Sequence, residues 1–405
     1  MFNPLANAFG LDIGDQSFKL AQLKQAHGSG KYKLTALGSI EVPPGIMEEG
    51  TIADPREAAR LINRLIKSST GHPKGRGVVA CLPEAKTFIK LIDAPADLSA
   101  KSLEKSVLKE IEQNIPLSLG ELYFDWQLLT PEDRTESDLT HVPDGRDDQS
   151  FETFAETEDD EPAQNEDDEE DEKEEDQIPV GNKIVIGAAP KKLVDQYSEM
   201  LDLAGLTPIA FEIEAMAICR AIVPNDNLLT HPIGILDIGA TRSSLIIYDQ
   251  DMIQMSISIP VAGTSITEMI SKTLNLSLDD AETLKIECGL DANRCEDKIW
   301  SIVQPQIDDL TQKIKRALKY YKTSFPCGRD IEHLLVCGGG ANFREIDTVL
   351  SRKMAIKVIR GDALINVKSP TNKKFAKRRR LTFSTALGLA MRAADESNKN
   401  ARRIK

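Results

Sequence analysis

A chain of 405 residues has room for two or three domains with sizeable cores. Its formal charge of −14 belongs to one stretch: between Glu132 and Asp176, 23 acidic residues face three basic ones, and the rest of the chain is mildly basic, at about +6. Six cysteines without a Cys-x-x-Cys pair and five scattered histidines exclude a zinc site of ordinary spacing and fit free thiols in a reducing cytoplasm. No run approaches the ~18 apolar residues of a membrane span, and the first residues lack the basic and apolar regions of a signal peptide.

In chain order, Phe9–Ile13, Phe18–Gln25 and Leu34–Val42 read as a three-stranded meander with Gly28-Ser29-Gly30 as its second turn. Asp54 caps a predicted helix that lines up Ala58, Leu61, Ile62, Leu65 and Ile66 and stops at Gly71. Gly77–Leu82 and Phe88–Ile92 predict short strands. Ser99–Ile115 predicts a helix with Leu103, Val107, Ile111 and Ile115 on one face, ended by Pro116; Phe124–Leu129 and Lys183–Ala188 are further strands. These elements form an α+β module inserted into the first half. The acidic connection from Thr130 to Ile178 has too little apolar surface to order itself and reads as a disordered loop, a solvated spacer. A helix over Lys191–Ala204 closes with Gly205, and Ile209–Ile213 leads into a helix over Glu214–Ile222.

The meander then returns as Ile233–Ile238, Ser243–Asp249 and Met252–Ile259. Helices follow over Ser265–Leu274, Asp279–Gly289 and Ile299–Tyr321. A strand over Ile331–Cys337 runs into Gly338-Gly339-Gly340, Asn342 caps the next helix, and a last helix over Phe383–Ala394 precedes a polar, basic tail.

The repeat carries the chemistry. Leu-Asp-Ile-Gly occurs at Leu11–Gly14 and again at Leu236–Gly239, each time at the end of an apolar strand and before a second one. A strand-end carboxylate beside a glycine turn suits a hydrated Mg²⁺ held against a phosphate chain, with backbone N–H groups free to approach phosphate oxygens. Asp12 and Asp237 would hold Mg²⁺ through water. Gly14, Asp15, Gln16 and Ser17, with Lys19 reaching back, form one phosphate turn, and Gly239, Ala240, Thr241 and Arg242 the other. Gly338, Gly339 and Gly340 let a flat base or ribose lie against backbone. Two phosphate turns and one nucleoside turn predict a nucleotide gripped from both sides.

That order resembles the actin-like ATPase superfamily, and within it the PilM family of type IV pilus assembly proteins, related to the cell-division protein FtsA. The likeness rests on Phe9-Gly-Leu-Asp-Ile-Gly with Ser17 and Lys19, and on Val78-Val-Ala-Cys-Leu-Pro83, Leu103-Glu-Lys, Glu110-x-Glu112-x-x-Ile115-Pro116 and Ala188-Ala-Pro-Lys-Lys-Leu-Val194. Asp202-Leu-Ala-Gly-Leu-x-Pro208, Ala281-Glu-x-Leu-Lys285, Tyr320-Tyr321, Gly338–Gly340 and Ala386-Leu-Gly-Leu-Ala390 complete it.

The resemblance implies an α/β fold: duplicated actin-like, ribonuclease H-like halves around a nucleotide cleft. Residues 1–76 with 190–230 form the first half and 77–189 the inserted module, of SHS2 type, with its acidic loop at 131–178. Residues 231–262 with 330–405 form the second half, and 263–329 its helical subdomain. It implies ATP or ADP with Mg²⁺, and a partner in the cytoplasmic N-terminal tail of a PilN-like inner-membrane protein. The chain would then be a cytoplasmic scaffold held at the inner membrane through partners, with the pilus motor ATPase a further contact and hydrolysis slow or absent. Glu214 falls where hydrolytic relatives orient water, and Glu282 and Lys285 fall at the ribose and adenine contacts. Two residues depart from the family pattern: Asp15, where Ser or Thr usually faces the terminal phosphate, and Arg242, where a small residue is usual. Readings from other classes are an active ATPase or phosphotransferase using Glu214, and an FtsA-like filament anchor, against which the apolar-poor end Ser397–Lys405 argues. The cationic run Lys373–Arg380 is a solvated loop or a patch for anionic lipid headgroups, with no specific nucleic-acid contact expected.

Overall fold

The computed structural model describes residues 7–26, 31–129, 182–225, 231–249, 252–291, 293–295, 298–325, 328–368 and 377–403. The turn at 28–30, the acidic loop at 131–178 and residues 373–376 of the cationic run lie outside the described residues.

The first half begins with an antiparallel meander, β1 (Phe9–Ile13), β2 (Ser17–Gln25) and β3 (Tyr32–Glu41). A two-residue hairpin that the sequence pattern did not announce follows, β4 (Met47–Glu48) and β5 (Thr51–Ile52). Helix α1 (Pro55–Ser68) starts where predicted, because the Asp54 carboxylate accepts from the N–H groups of Arg56 and Glu57. Next come β6 (Gly77–Leu82), β7 (Phe88–Asp93), α2 (Ala100–Asn114), β8 (Leu122–Leu129) and β9 (Lys183–Pro190). Helix α3 (Lys191–Leu203), β10 (Thr207–Ile213) and α4 (Glu214–Ile222) close this half.

In the second half, β11 (Ile233–Ile238), β12 (Ser243–Asp249) and β13 (Met252–Ile259) repeat the meander. Then come α5 (Gly263–Leu274), α6 (Leu278–Cys288), α7 (Lys298–Ser324), β14 (His333–Cys337), α8 (Ile346–Met354), β15 (Lys357–Arg360) and α9 (Ser384–Arg403).

The two halves have one topology. The first sheet runs β3-β2-β1-β6-β10 and the second β13-β12-β11-β14-β15, three antiparallel strands followed by two added in parallel. β6 and β14 are the parallel neighbours of β1 and β11, and the residues of β1 and β6 are all buried, as central strands covered on both faces require. Gly77–Leu82, grouped in the sequence with the inserted module, is therefore an inner strand of the first sheet. The module sheet is β7-β9-β8, with α2 packed on it through Leu103, Val107 and Ile111.

Helices α4 and α9 cross between the halves. Ala215, Ile218 and Cys219 of α4 and Ala386, Leu387 and Ala390 of α9 share the core that holds the second sheet, α4 touches strands of both sheets, and α9 packs on β1, β2 and β6 of the first. Two glycines let the backbones close: a Cβ at Gly10 would lie 2.4 Å from Ala390 N, and one at Gly388 would lie 1.8 Å from Ala217 O. Arg220 of α4 ties the crossing down, donating to both oxygens of buried Glu212 at 2.8 and 2.6 Å and to Gly388 O at 3.2 Å.

Three local expectations change. Asn342 does not cap α8: Gly340–Asn342 is a 3-10 turn in which Asn342 Nδ2 donates to Gly339 O, and the residue before α8 is Glu345, in the left-handed region. The last helix continues to Arg403, since neither Gly nor Pro interrupts the polar tail. The six cysteines are not all free, because Cys288 and Cys295 are disulfide-bonded across the turn after α6. Among the described residues no helix is long and apolar enough to cross a membrane.

Candidate functional site

The equivalent strand ends β1 and β11 face each other across one cavity of about 260 Å³. Fourteen of the seventeen residues singled out in the sequence line it: Asp12, Gly14, Asp15, Gln16, Ser17, Lys19, Glu214, Asp237, Gly239, Ala240, Thr241, Arg242, Gly338 and Gly339. Gly340, Glu282 and Lys285 do not. Glu282 and Lys285 pair with each other at 2.6 Å, and Lys285 Nζ donates to Gly263 O at 3.0 Å. Gly263 N–H in turn donates to Gly239 O, so this pair stands one contact behind the cavity wall.

Each glycine turn is closed by its own backbone. Gly14 N–H donates to Ser17 O at 3.2 Å, and Gly239 N–H to Arg242 O at 2.9 Å. At Gly239 a Cβ would sit 2.6 Å from Arg242 O, so the second turn needs glycine. Gly338, at φ +80°, passes so close to the second carboxylate that a Cβ would lie 2.3 Å from Asp237 Oδ1; Gly339 has open space around it.

The two aspartates have matched supports. Cys81 Sγ, from β6, donates to Asp12 Oδ1 at 3.7 Å, and Cys337 Sγ, from β14, donates to Asp237 Oδ1 at 3.4 Å. Burial, and then the neighbouring carboxylate, push both thiols far up, so they remain protonated donors. Lys19 Nζ donates to Asp12 Oδ2 at 3.0 Å. Burial works against that ammonium charge, but Asp12, then Glu214 and Asp237, more than offset it and hold it above its usual range.

The cavity is over-supplied with carboxylates. Burial pushes Asp237 up to about 6, with Asp12 adding repulsion and the Cys337 bond and Lys19 opposing. Burial, then Asp237, Asp12 and Glu84, raise Glu214 well above the ordinary carboxylate range. Glu84, just after β6, is pushed up to about 7, first by burial, with Asp237 repelling it. Its Oε1 takes the Ser256 hydroxyl of β13 from the other half, while its Oε2 is buried without a hydrogen-bond partner. Among the lining residues two cations, Lys19 and Arg242, stand against six carboxylates, Asp12, Asp15, Glu49, Glu84, Glu214 and Asp237, so the site is short of positive charge. That charge balance fits a cation brought in with a ligand; among the described residues no group of three or more His, Cys, Asp or Glu is placed to hold a metal ion directly.

Asp15 turns neither outward nor toward Arg242. Gly50 N–H donates to its Oδ1 at 2.7 Å and Thr241 Oγ1 to its Oδ2 at 3.0 Å, so it joins the first glycine turn to the β4–β5 hairpin and to the second turn.

Glu84 and Gly50 were missed in the sequence. Glu84 had a signal: once Gly77–Leu82 is paired beside β1, its end must open next to Asp12. Gly50 had none, since a two-residue hairpin leaves no periodicity.

A duplicated five-stranded α/β fold with two aspartate turns meeting in one cleft defines the actin-like class. A chain of the "PilM-PilN type IV pilus biogenesis complex" is similar in fold at TM-score 0.72 and 24% identity, covering 96% of this chain and 99% of that one. MreB5 of Spiroplasma citri bound to ADP is similar at TM-score 0.50 and 13% identity over 97% and 98% of the two chains, and the AMPPNP-bound form matches at the same score and identity. The family described as type IV pilus assembly protein PilM matches residues 10–142 and 172–394. The chain belongs to that family.

Proposed function

We propose that this chain is a nucleotide-binding scaffold of a type IV pilus assembly platform. It takes ATP or ADP with Mg²⁺ in the cleft and binds the cytoplasmic tail of a PilN-like membrane protein. The observation that carries the nucleotide reading is the meeting of Asp12 and Asp237, from two equivalent turns, in one carboxylate-rich cavity. A cavity of about 260 Å³ falls below the usual size of a whole-ligand pocket and suits the phosphate end. Asp12 and Asp237 would hold the ion through its waters, and the ion would supply positive charge beside Asp237, which burial disfavours as an anion. The Glu282–Lys285 pair, behind Gly263, is the nearest candidate for the nucleoside end.

The nucleotide-bound states of the MreB5 neighbours support the same reading, and the PilM–PilN complex supports the partner. The inserted module also exposes Leu98, Leu117, Tyr123 and Phe124, an apolar set of the kind that marks a protein-binding surface. Turnover is slow in this reading: Glu214 is the candidate for orienting water, and burial, then the neighbouring carboxylates, holds it well above the ordinary carboxylate range, which makes it a poor base. Association with the inner membrane comes through the partner, and the cationic run Lys373–Arg380 adds attraction to anionic lipid.

The test is twofold. Native mass measurement of the purified chain should find an adenine nucleotide, lost in Asp12→Asn and in Asp237→Asn. A peptide of a PilN-like cytoplasmic tail should co-elute with the chain, and Tyr123→Ala with Phe124→Ser should weaken that capture. A wild-type chain that takes up no adenine nucleotide at millimolar Mg²⁺ would end the nucleotide reading; failure to hold the tail would end the scaffold reading.

A further inference from the structure

Asp15 places a carboxylate within the first glycine turn, where a phosphate would approach the backbone, and both of its oxygens are in use. The hairpin N–H of Gly50 and the hydroxyl of Thr241 converge on its carboxylate from opposite sides of the cleft. A backbone N–H in a tight turn and a threonine hydroxyl are the donors that commonly hold a phosphate oxygen. All three residues line the cavity, beside Glu49, Arg242 and the two glycine turns.

The contact is also backed. Gly50 sits at φ +72°, where a Cβ would lie 2.7 Å from Pro83, and the hydroxyl of buried Tyr197 donates to its carbonyl at 3.1 Å. The hairpin is held by α3 on one side and by the first residue after β6 on the other, so Gly50 cannot swing away to free its N–H. Arg242, exposed on the second turn, makes no ion pair with Asp15 among the described residues, and its charge leaves the carboxylate where it is.

We propose that Asp15 is the specificity-determining residue of this nucleotide site: a built-in anion that occupies the donors a terminal phosphate would use, so that the cleft takes a nucleoside diphosphate in preference to a triphosphate. This rests on the nucleotide reading of the cleft. A third phosphate must either share Gly50 and Thr241 with a carboxylate of like charge or displace it from Thr241, and both routes weaken triphosphate binding only. A diphosphate would use the backbone N–H groups of the two glycine turns, at Gly14 to Ser17 and at Gly239 and Ala240, and would need neither Gly50 N–H nor the Thr241 hydroxyl.

Calorimetric titration of the full chain with ADP and with ATP, each with MgCl₂, tests this. The wild type is expected to bind ADP about tenfold or more tighter than ATP, the scale of one unscreened like-charge contact. Asp15→Ser and Asp15→Asn should bring the two within about threefold by tightening ATP, with ADP nearly unchanged. Asp15→Asn keeps the shape and an acceptor for Gly50, so it separates charge from fold; thermal unfolding of both variants shows whether the serine form is intact. A wild type that binds ATP as tightly as ADP overturns the assignment, as does a ratio that survives in the folded Asp15 variants. A wild type that binds neither nucleotide overturns the nucleotide reading and this assignment with it.

Discussion

Asp12 and Asp237 hold equivalent places in the two sheets but face unlike partners across the meander: Asp12 is opposite Lys19 on β2, and Asp237 is opposite Ser244 on β12. Both accept from a cysteine on the parallel strand beside them, Cys81 and Cys337. The two carboxylates occupy equivalent positions, and the residue opposed to each, Lys19 or Ser244, makes them electrostatically different. Asp12 has a countercharge of its own, whereas Asp237 is buried among carboxylates and rises to about 6.

The two isosteric changes should therefore part ways in the unliganded chain while both abolish nucleotide binding. Asp12→Asn removes the partner of the half-buried Lys19 ammonium and should lower stability, by up to about 3 kcal/mol, the low end for a broken buried pair. Asp237→Asn keeps an acceptor for Cys337, removes a charge that burial disfavours, and should raise stability at pH 7 by on the order of 2 kcal/mol. Calorimetric unfolding of the nucleotide-free variants checks this. Equal losses in both would mean that the carboxylates are structural equivalents.

Glu84 gives the empty chain a pH dependence whose sign follows from its shift. Its carboxyl titrates at about 7 in the folded chain, against 4.5 ordinarily. Between those values the folded state binds more protons than the unfolded one, so this group lowers stability as pH rises from about 4.5 to about 7, and the loss is complete above that. Glu84→Gln keeps an acceptor for Ser256 and should remove that slope. The variant should unfold a few degrees higher than wild type at pH 7.5 and together with it at pH 4.5, by on the order of 2 kcal/mol at the higher pH. Parallel unfolding curves at the two pH values would refute it.

The glycines sort into those that build the fold and those that only border the site. Gly388→Ala drives a methyl into the carbonyl of Ala217, which is backbone and cannot move without separating α4 from α9. A loss of at least about 3 kcal/mol, or failure to fold, is expected. Gly339→Ala meets nothing within 4 Å and keeps an ordinary helical φ, so it should fold like wild type. Circular dichroism melts of the two variants decide the matter, and a destabilised Gly339→Ala would contradict the open space on that side of the cleft.

Much of this was legible because the same phrase is written twice. The Leu-Asp-Ile-Gly repeats placed both aspartates and their turns, and fourteen of the named residues do meet in one cavity. Local signals also located the helices, as Asp54 did for α1. What failed was long-range pairing. Gly77–Leu82 looks like any short apolar strand, and only its hydrogen bonds to β1 reveal it as the counterpart of β14. Glu84 was hidden with it. Cys288 and Cys295 sit at a spacing that carries no motif, and their pairing depends on how the chain turns after α6. The use of Asp15 depends on a hairpin too short to leave a pattern and on Thr241, 226 residues away.

Arg220 and Glu212 fix how the halves meet, and their planar geometry makes a sharp expectation. Both guanidinium nitrogens of Arg220 reach the Glu212 carboxylate, one also reaches the Gly388 carbonyl, and Arg392 of α9 adds a third cation contact at 3.2 Å. Lysine cannot reproduce the fork, so Arg220→Lys should lose most of this bidentate bonding and weaken the crossing of α4 over α9. Arg220→Met leaves Glu212 buried with Arg392 alone and should cost roughly 3–5 kcal/mol. The double change Arg220→Met with Glu212→Leu removes the stranded carboxylate and should recover part of that loss, giving a coupling energy of 0.5–3 kcal/mol in a double-mutant cycle. Because both helices pack into cores of both halves, the same variants should expose the cleft to protease between the halves before either sheet unfolds. Additive losses, with one cooperative melt and no early cleavage, would place the hold between the halves elsewhere than at this crossing.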